Sequence, residues 1–208
     1  MSAATAGTQR GRSARTRERI LESATEVFAR RGFHGARVAD IAETAGIAYG
    51  LVYHHFKNKD EILAAIFDLR WGEYVGYIEA IAEQPLSFSE RIAKLVHYWV
   101  ETFRQDPHMM TVIINEVSRS YEFIESHDIA AVLTAFDAIE KVIRKGVEAG
   151  EARADLDPKF AAYTVLGMAE MVLTGYVIGT LKRDRAGFSR DEEQLVRIML
   201  GGMSTTPV

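Results

Sequence analysis

A chain of 208 residues with 48% apolar content is long enough for one compact domain with a small appendage, or for two domains of unequal size, and can bury a core. It holds no cysteine, which excludes a disulfide framework, a thiolate metal site and a thiol nucleophile. The formal charge of −4 hides an asymmetry: up to Asp60 there are ten Lys or Arg against six acids, and beyond it fifteen against twenty-three. A basic head on an acidic body concentrates attraction for phosphate at one end.

The first dozen residues are Ala, Thr, Gly, Ser and Arg, too little apolar surface to order a chain, so an unstructured basic arm is expected over 1–12. This end lacks the apolar run of a signal peptide, and no later segment is expected to reach the uncharged length of a membrane span. A soluble, cytoplasmic protein that engages no membrane is therefore expected. A first helix is predicted over about 13–31, with Ile20, Ala24, Val27 and Phe28 as its buried stripe, stopped by Gly32.

The stretch from Arg37 to Leu63 is the most informative. Val38, Ile41, Ala42 and Ala45 fall at helical spacing, and Gly46 supplies the left-handed turn that ends that helix. A second short helix follows, with Ile47, Leu51 or Val52, and Phe56 available for inward contacts. Two short helices joined at a glycine, with a polar and aromatic outer face, fit the major groove of B-DNA. The residues expected at DNA are Arg37, Val38, Ala48, Tyr49, Gly50, Leu51, Tyr53, His54 and His55, with Lys57 and Lys59 just beyond for phosphates. Ala48 removes a side-chain cap, and Leu51 offers an apolar contact to a thymine methyl.

A long helix from about 60 to 82 links this 13–60 unit to a body over 83–208. Ser87 or Ser89 caps the next helix, whose face of Ile92, Leu95, Val96, Trp99, Val100 and Phe103 ends at Asp106-Pro107. Further helices are predicted at about 108–118, 129–149, 158–182 and 190–203. With no alternating strand pattern, the fold class is all-α with about nine helices. The segment 160–181 is apolar around most of its circumference and must be covered on several sides. Gly167, Gly175 and Gly179, with Leu195 and Met199 of the last helix, are the candidate contacts with a second copy.

Ile20, Leu21, Ala24, Phe28, Gly32-Phe33, Val38, Ile41-Ala42, Ala45-Gly46-Ile47, Gly50, Val52-Tyr53, Phe56, Lys57-Asn58-Lys59 and Leu63 together resemble the DNA-binding domain of the TetR family of bacterial transcription regulators. The resemblance covers about 15–67. It implies a three-helix, helix-turn-helix head on a helical ligand-binding and dimerisation body: a homodimeric repressor on a pseudo-palindromic DNA operator, released by a small apolar or amphipathic effector. The head is most similar to that of the TetR-type regulators of fatty-acid degradation, sharing His34, Val38, Ala48 and the run FKNK, which implies a long-chain acyl-CoA. Candidate cavity residues are Trp99, Phe103, Met110, Ile113, Phe136, Met168, Met171 and Tyr176, with Arg104, Lys141, Arg144, Lys145 and Arg153 as basic groups at its mouth.

Other chemistries find little. His54 and His55 are adjacent and diverge on a helix, so they do not share a metal. There is no G-x-S-x-G, P-loop or dinucleotide turn. Neither cofactor nor metal nor catalytic residue is expected, and the chain is read as no enzyme. The alternatives are a helical-bundle enzyme with unrecognised residues and an architectural DNA-binding protein without ligand.

Overall fold

The computed structural model describes residues 2–117 and 129–205. Nine α-helices run in order among the described residues: α1 (Ser2–Arg31), α2 (Val38–Ala45), α3 (Tyr49–His55), α4 (Lys59–Glu83), α5 (Phe88–Gln105), α6 (Pro107–Val112), α7 (Ile129–Glu148), α8 (Pro158–Val177) and α9 (Arg185–Met203). A π-helical turn, Ile113–Val117, continues α6. The fold is all-α.

Helix ends follow local chemistry. Ser87 is the cap of α5: its hydroxyl accepts the Glu90 N–H while the Glu90 carboxylate accepts the Ser87 N–H, each side chain closing the other's orphan donor. Asp106 accepts the Met109 N–H and starts α6 at Pro107. Asp184 does the same through Gly187, so α9 begins at Arg185, earlier than the predicted 190. α1 begins at Ser2, before the expected 13, and the arm expected to lack structure is helical from there. No proline interrupts the backbone ladder over those residues, although positions 11–15 bury nothing.

Two apolar cores result. The head core gathers Ile20, Ala24 and Phe28 of α1, Ile41 and Ala42 of α2, Val52 of α3, and Ile62, Ile66 and Phe67 of α4. It also takes in Met109 and Val112 of α6, so the body reaches into the head. The body core holds Ile78 and Ile81 of α4, the inner face of α5, Ile139 and Val142 of α7, Val165, Ala169 and Tyr176 of α8, and Leu195 and Met199 of α9. α4 is thus shared, its first half in one core and its last turns in the other. Its far end is tied to α7, because Lys141 and Lys145 both pair with Glu83 at 2.8 and 2.7 Å and hold that carboxyl down at about 2.

By length and composition α8 could cross a membrane, although it carries Lys159 and Glu170. Of its most apolar window, 44% is buried inside the protein, where it supplies Val165, Ala169, Leu173 and Tyr176 to the core. Two of the three glycines singled out there serve the end of the helix itself. Gly179 ends the helix at φ +76, and a Cβ on Gly175 would lie 2.8 Å from the folded-back Leu181. Both shape the end of α8, and at Gly175, which is buried, Leu181 fills the space a second backbone would need. Leu195 and Met199 are likewise buried in their own body core, not offered to a second copy.

Candidate nucleic-acid interface and effector cavity

The turn between α2 and α3 is built on Gly46, at φ 62 and ψ 40. Its N–H and that of Ile47 return to Glu43 and Ala42 at 3.0 Å each, closing the end of α2. The Arg19 guanidinium donates to the Ala45 carbonyl beside it, a contact across 26 positions that periodicity does not reveal. Gly46→Val forces a branched side chain into the left-handed region, costing roughly 1–3 kcal/mol, with the added Cβ in contact with Arg19 at 3.5 Å. Its expected result is a lowered melting temperature with operator affinity lost; a fully stable, DNA-binding variant would contradict this account of the turn.

α3 starts after Ala48, which is extended and makes no side-chain cap. Val52 is the residue buried and Leu51 the one exposed, so the sequence alternative resolves toward Val52. Tyr49, Gly50, Leu51, Tyr53 and His54 are exposed and His55 is half-buried, forming one outward surface. The Tyr49 and Tyr53 hydroxyls lie 3.1 Å apart with their rings edge to face. That hydrogen bond, ahead of desolvation, pushes the Tyr53 phenol up. Burial, then the neighbouring His54 and Arg17, push His55 down, favouring a neutral imidazole.

The remaining head candidates divide. Arg37 is exposed just before α2, where its N–H donates to Asp40, itself paired with Arg31 at 2.8 Å. Lys57 is exposed, its side chain unpaired among the described residues. Val38 packs against the head core. Lys59 sits over the Phe33 ring and donates to the carbonyls of Phe33, His34 and Ala36. Its ammonium therefore ties the α1–α2 loop to the start of α4, a role the sequence hides because those acceptors lie more than twenty positions away.

In the body a cavity of about 360 Å³ opens between α4, α5, α6, the π turn and α8. Trp99, Met110 and Ile113 line it as expected, joined by Trp71, Tyr74, Tyr98, Ile114 and Leu173. Trp99 donates its ring N–H to the Tyr74 hydroxyl at 3.1 Å, and burial pushes that phenol up. The other five candidates are not part of this lining. Phe103 and Tyr176 pack together in the core with Phe188. Phe136 stacks on Tyr163 at 4.2 Å, Met168 packs on the body core, and Met171 is exposed.

The charged lining was also missed. Arg70, Glu73, Asp106 and Glu170 border the cavity, with Arg70 at 3.1 Å from Glu73 and 3.9 Å from Asp106. The expected mouth residues lie elsewhere, each beside a carboxylate: Arg104 with Glu101, Arg144 with Glu140, Arg153 with Asp155, and the two lysines with Glu83. Met109 lies both in this lining and in the head core, and Glu116 of the π turn accepts the Phe33 N–H at 3.1 Å. Cavity and head thus share walls.

Comparison with known proteins places this geometry. Residues 20–66 match the model of bacterial regulatory proteins of the tetR family, and 85–176 match that of the tetracyclin repressor-like C-terminal domain. The chain is 31% identical over 150 residues to the HTH-type transcriptional repressor KstR2 of Mycobacterium tuberculosis, covering 68% of this chain and 71% of that protein. It is 25% identical over 178 residues to the fatty acid metabolism regulator protein of Bacillus subtilis, covering 85% and 91%. The solved transcriptional regulator FadR from Bacillus subtilis, in complex with stearoyl-CoA, superposes with a TM-score of 0.77 at 22% identity, over 89% of this chain and 98% of that one. A helix-turn-helix head and a hollow body joined through one helix, matched in sequence over both parts, establish that the chain belongs to the TetR family, as a ligand-responsive DNA-binding regulator and not an enzyme.

Proposed function

We propose that the protein is a homodimeric repressor that holds a pseudo-palindromic operator and lets go when an apolar or amphipathic effector fills the body cavity. The observation that carries this reading is the double membership of α4 and Met109. α4 packs Ile62, Ile66 and Phe67 into the head, lines the cavity with Trp71 and Tyr74, and is pinned at Glu83. An effector that parts α4 from α6 tilts a lever anchored at its far end and moves the head. By linkage, effector weakens DNA binding and DNA weakens effector binding by one factor, typically about 5- to 150-fold. Work on DNA also favours a cytoplasmic site of action.

The second copy has a natural seat. Phe160, Gly167 and Met171 of α8, with Ile178 at the residue that caps it, recur at helical spacing in one line, with exposures of 73% for Phe160, 63% for Met171 and 66% for Ile178. Ile198 of α9 adds another at 61%. Apolar side chains this open on two long helices fit a two-fold bundle with a second copy, in which the same patch serves on both sides. Within this arrangement Gly167 lies on that line and is exposed, with nothing within 4 Å of an added Cβ, so it fits the seat.

For the effector we favour a long-chain acyl-CoA. The aromatic and aliphatic walls suit an acyl chain, Arg70 supplies a cation at the polar end, and the fatty acid metabolism regulator and the stearoyl-CoA complex named above point the same way. One observation favours a second reading: Glu170 borders the cavity unpaired among the described residues, with Glu73 and Asp106 also acidic, which suits an organic cation against Trp71 and Trp99. The test is operator selection from randomised duplexes, followed by titration of the bound complex with oleoyl-CoA and, separately, dodecyltrimethylammonium. Recovery of a two-fold symmetric site released by oleoyl-CoA is expected. Release by the ammonium alone would transfer the assignment to the second reading, and failure to enrich any site would overturn the operator claim.

A further inference from the structure

α1 is 30 residues long, and among its described side chains, from Gly11 on, burial begins only at Ile20. The stretch from Gly11 to Arg19 therefore precedes the head core and adds no buried side chain to it. The described side chains here are rich in arginine: Arg12, Arg15, Arg17 and Arg19 are all exposed. Two of these have partners. Arg17 lies over the Phe56 ring, 5.0 Å from its centroid, and Arg19 donates to the Ala45 carbonyl. Those contacts fix this part of α1 against both edges of the helix-turn-helix, the end of α2 and the residue that follows α3.

The guanidinium groups of Arg12 and Arg15 have no partner among the described residues. They stand seven and four positions before Arg19, which on an α-helix puts all three on one face. With a rise of about 1.5 Å per residue, they lie roughly 10 and 6 Å beyond Arg19 along the axis. The row thus starts at the turn that presents the recognition helix and continues outward, past the last residue the head core supports. A guanidinium held out there, next to a DNA-reading surface, has phosphate as its complement.

We propose that Arg12 and Arg15 extend the interface beyond the half-site, onto backbone phosphates of the DNA that flanks it, as a sequence-independent clamp. The inference rests on the operator-binding reading. The recognition helix selects the site and the α1 extension adds affinity and salt dependence without adding sequence preference. A duplex trimmed to the bare half-sites leaves the row without a partner.

The test compares the full-length protein with Arg12→Gln/Arg15→Gln on two selected duplexes, one trimmed to the half-sites and one carrying ten flanking base pairs on each side, over a range of salt. Each phosphate contact removed lowers the slope of log K against log salt by about 0.9, so two heads losing two contacts each should flatten it by roughly 4 on the long duplex. On the trimmed duplex the two proteins should converge. Arg12→Lys/Arg15→Lys should restore most of the slope, since a point charge serves a phosphate but not a bidentate base contact. Equal slopes for the glutamine variant and the unaltered protein on the long duplex overturn the clamp while leaving operator binding intact. Absence of operator binding by the unaltered protein brings down both.

Discussion

Met171→Glu combined with Ile198→Glu is expected to convert the protein to a monomer and to lower operator affinity by at least about 100-fold. Both residues are more than 60% exposed in the single chain, so neither change removes a core contact. In a two-fold dimer, however, each residue lies on a patch that meets its own copy, and two glutamates arrive for every one substituted. Four carboxylates brought to an apolar interface would have to be buried without partners, which costs far more than such an interface gains. Once the heads separate, the second half-site no longer benefits from tethering, and avidity of about 10²- to 10⁴-fold is lost. Sedimentation reads the mass and fluorescence anisotropy the affinity. Thermal melting should stay close to that of the unaltered protein at equal chain concentration once the loss of dimer stabilisation is allowed for. A variant that remains dimeric would remove this face from the model. Leu195→Glu provides the contrast: that side chain belongs to the body core, and its substitution should cost folding itself.

The head was legible in its sequence because its determinants are short-ranged. Ile41, Ala42 and Ala45 at helical spacing, followed by Gly46, specify a helix and its left-handed end within a few residues, and exposure of Tyr49, Tyr53 and His54 follows once Val52 is chosen as the inward residue. What escaped depends on distant partners. Lys59 reads as a phosphate ligand until three carbonyls of the α1–α2 loop are found around it. Val38 reads both as part of the apolar stripe of α2 and as a DNA contact, and it packs half-buried against the head core.

In the body the apolar residues were easier to find than to sort. Trp99, Phe103 and Tyr176 look alike in sequence, yet only the first borders the cavity, because which side of α5 or α8 faces the void depends on how five helices meet. The proposed dimer face turned on phase. Leu195 and Met199 lie at helical spacing and Ile198 sits beside them, and only the packing of α9 on the body decides that the first pair goes inward and the third residue outward. The polar lining was hidden for another reason: Arg70, Glu73 and Glu170 look like an ordinary solvated face in sequence, while the basic residues chosen for the mouth had carboxylates three or four positions away in Arg104 and Arg144. Such local pairs are visible in sequence and mark those arginines as already paired.

The path from cavity to head yields the second large expectation, that Glu116→Ala uncouples effector from operator while sparing the binding of each. The residue stands on the π turn that continues α6, a wider turn than the α-helix and one often found at functional positions. Two preceding residues of that turn, Ile113 and Ile114, line the cavity, and the Glu116 carboxylate accepts the Phe33 N–H at the loop that leads into α2. Displacement of Ile113 and Ile114 by an effector therefore moves the side chain that holds the Phe33 backbone. A hydrogen bond to a charged acceptor is worth roughly 1.5–3 kcal/mol, comparable with the 1–3 kcal/mol of typical coupling between sites, so one such bond is large enough to carry most of it. In Glu116→Ala the ratio of operator affinities without and with oleoyl-CoA should fall toward about 1 from the 5- to 150-fold of typical coupling, and oleoyl-CoA affinity should lose its dependence on operator by the same factor. Glu116→Gln keeps a carbonyl acceptor in the same place and should retain part of the coupling, separating the hydrogen bond from the bulk of the side chain. If the alanine variant releases operator on oleoyl-CoA as the unaltered protein does, the signal passes through α4 alone, and the contact between Glu116 and Phe33 serves only to hold the head against α6.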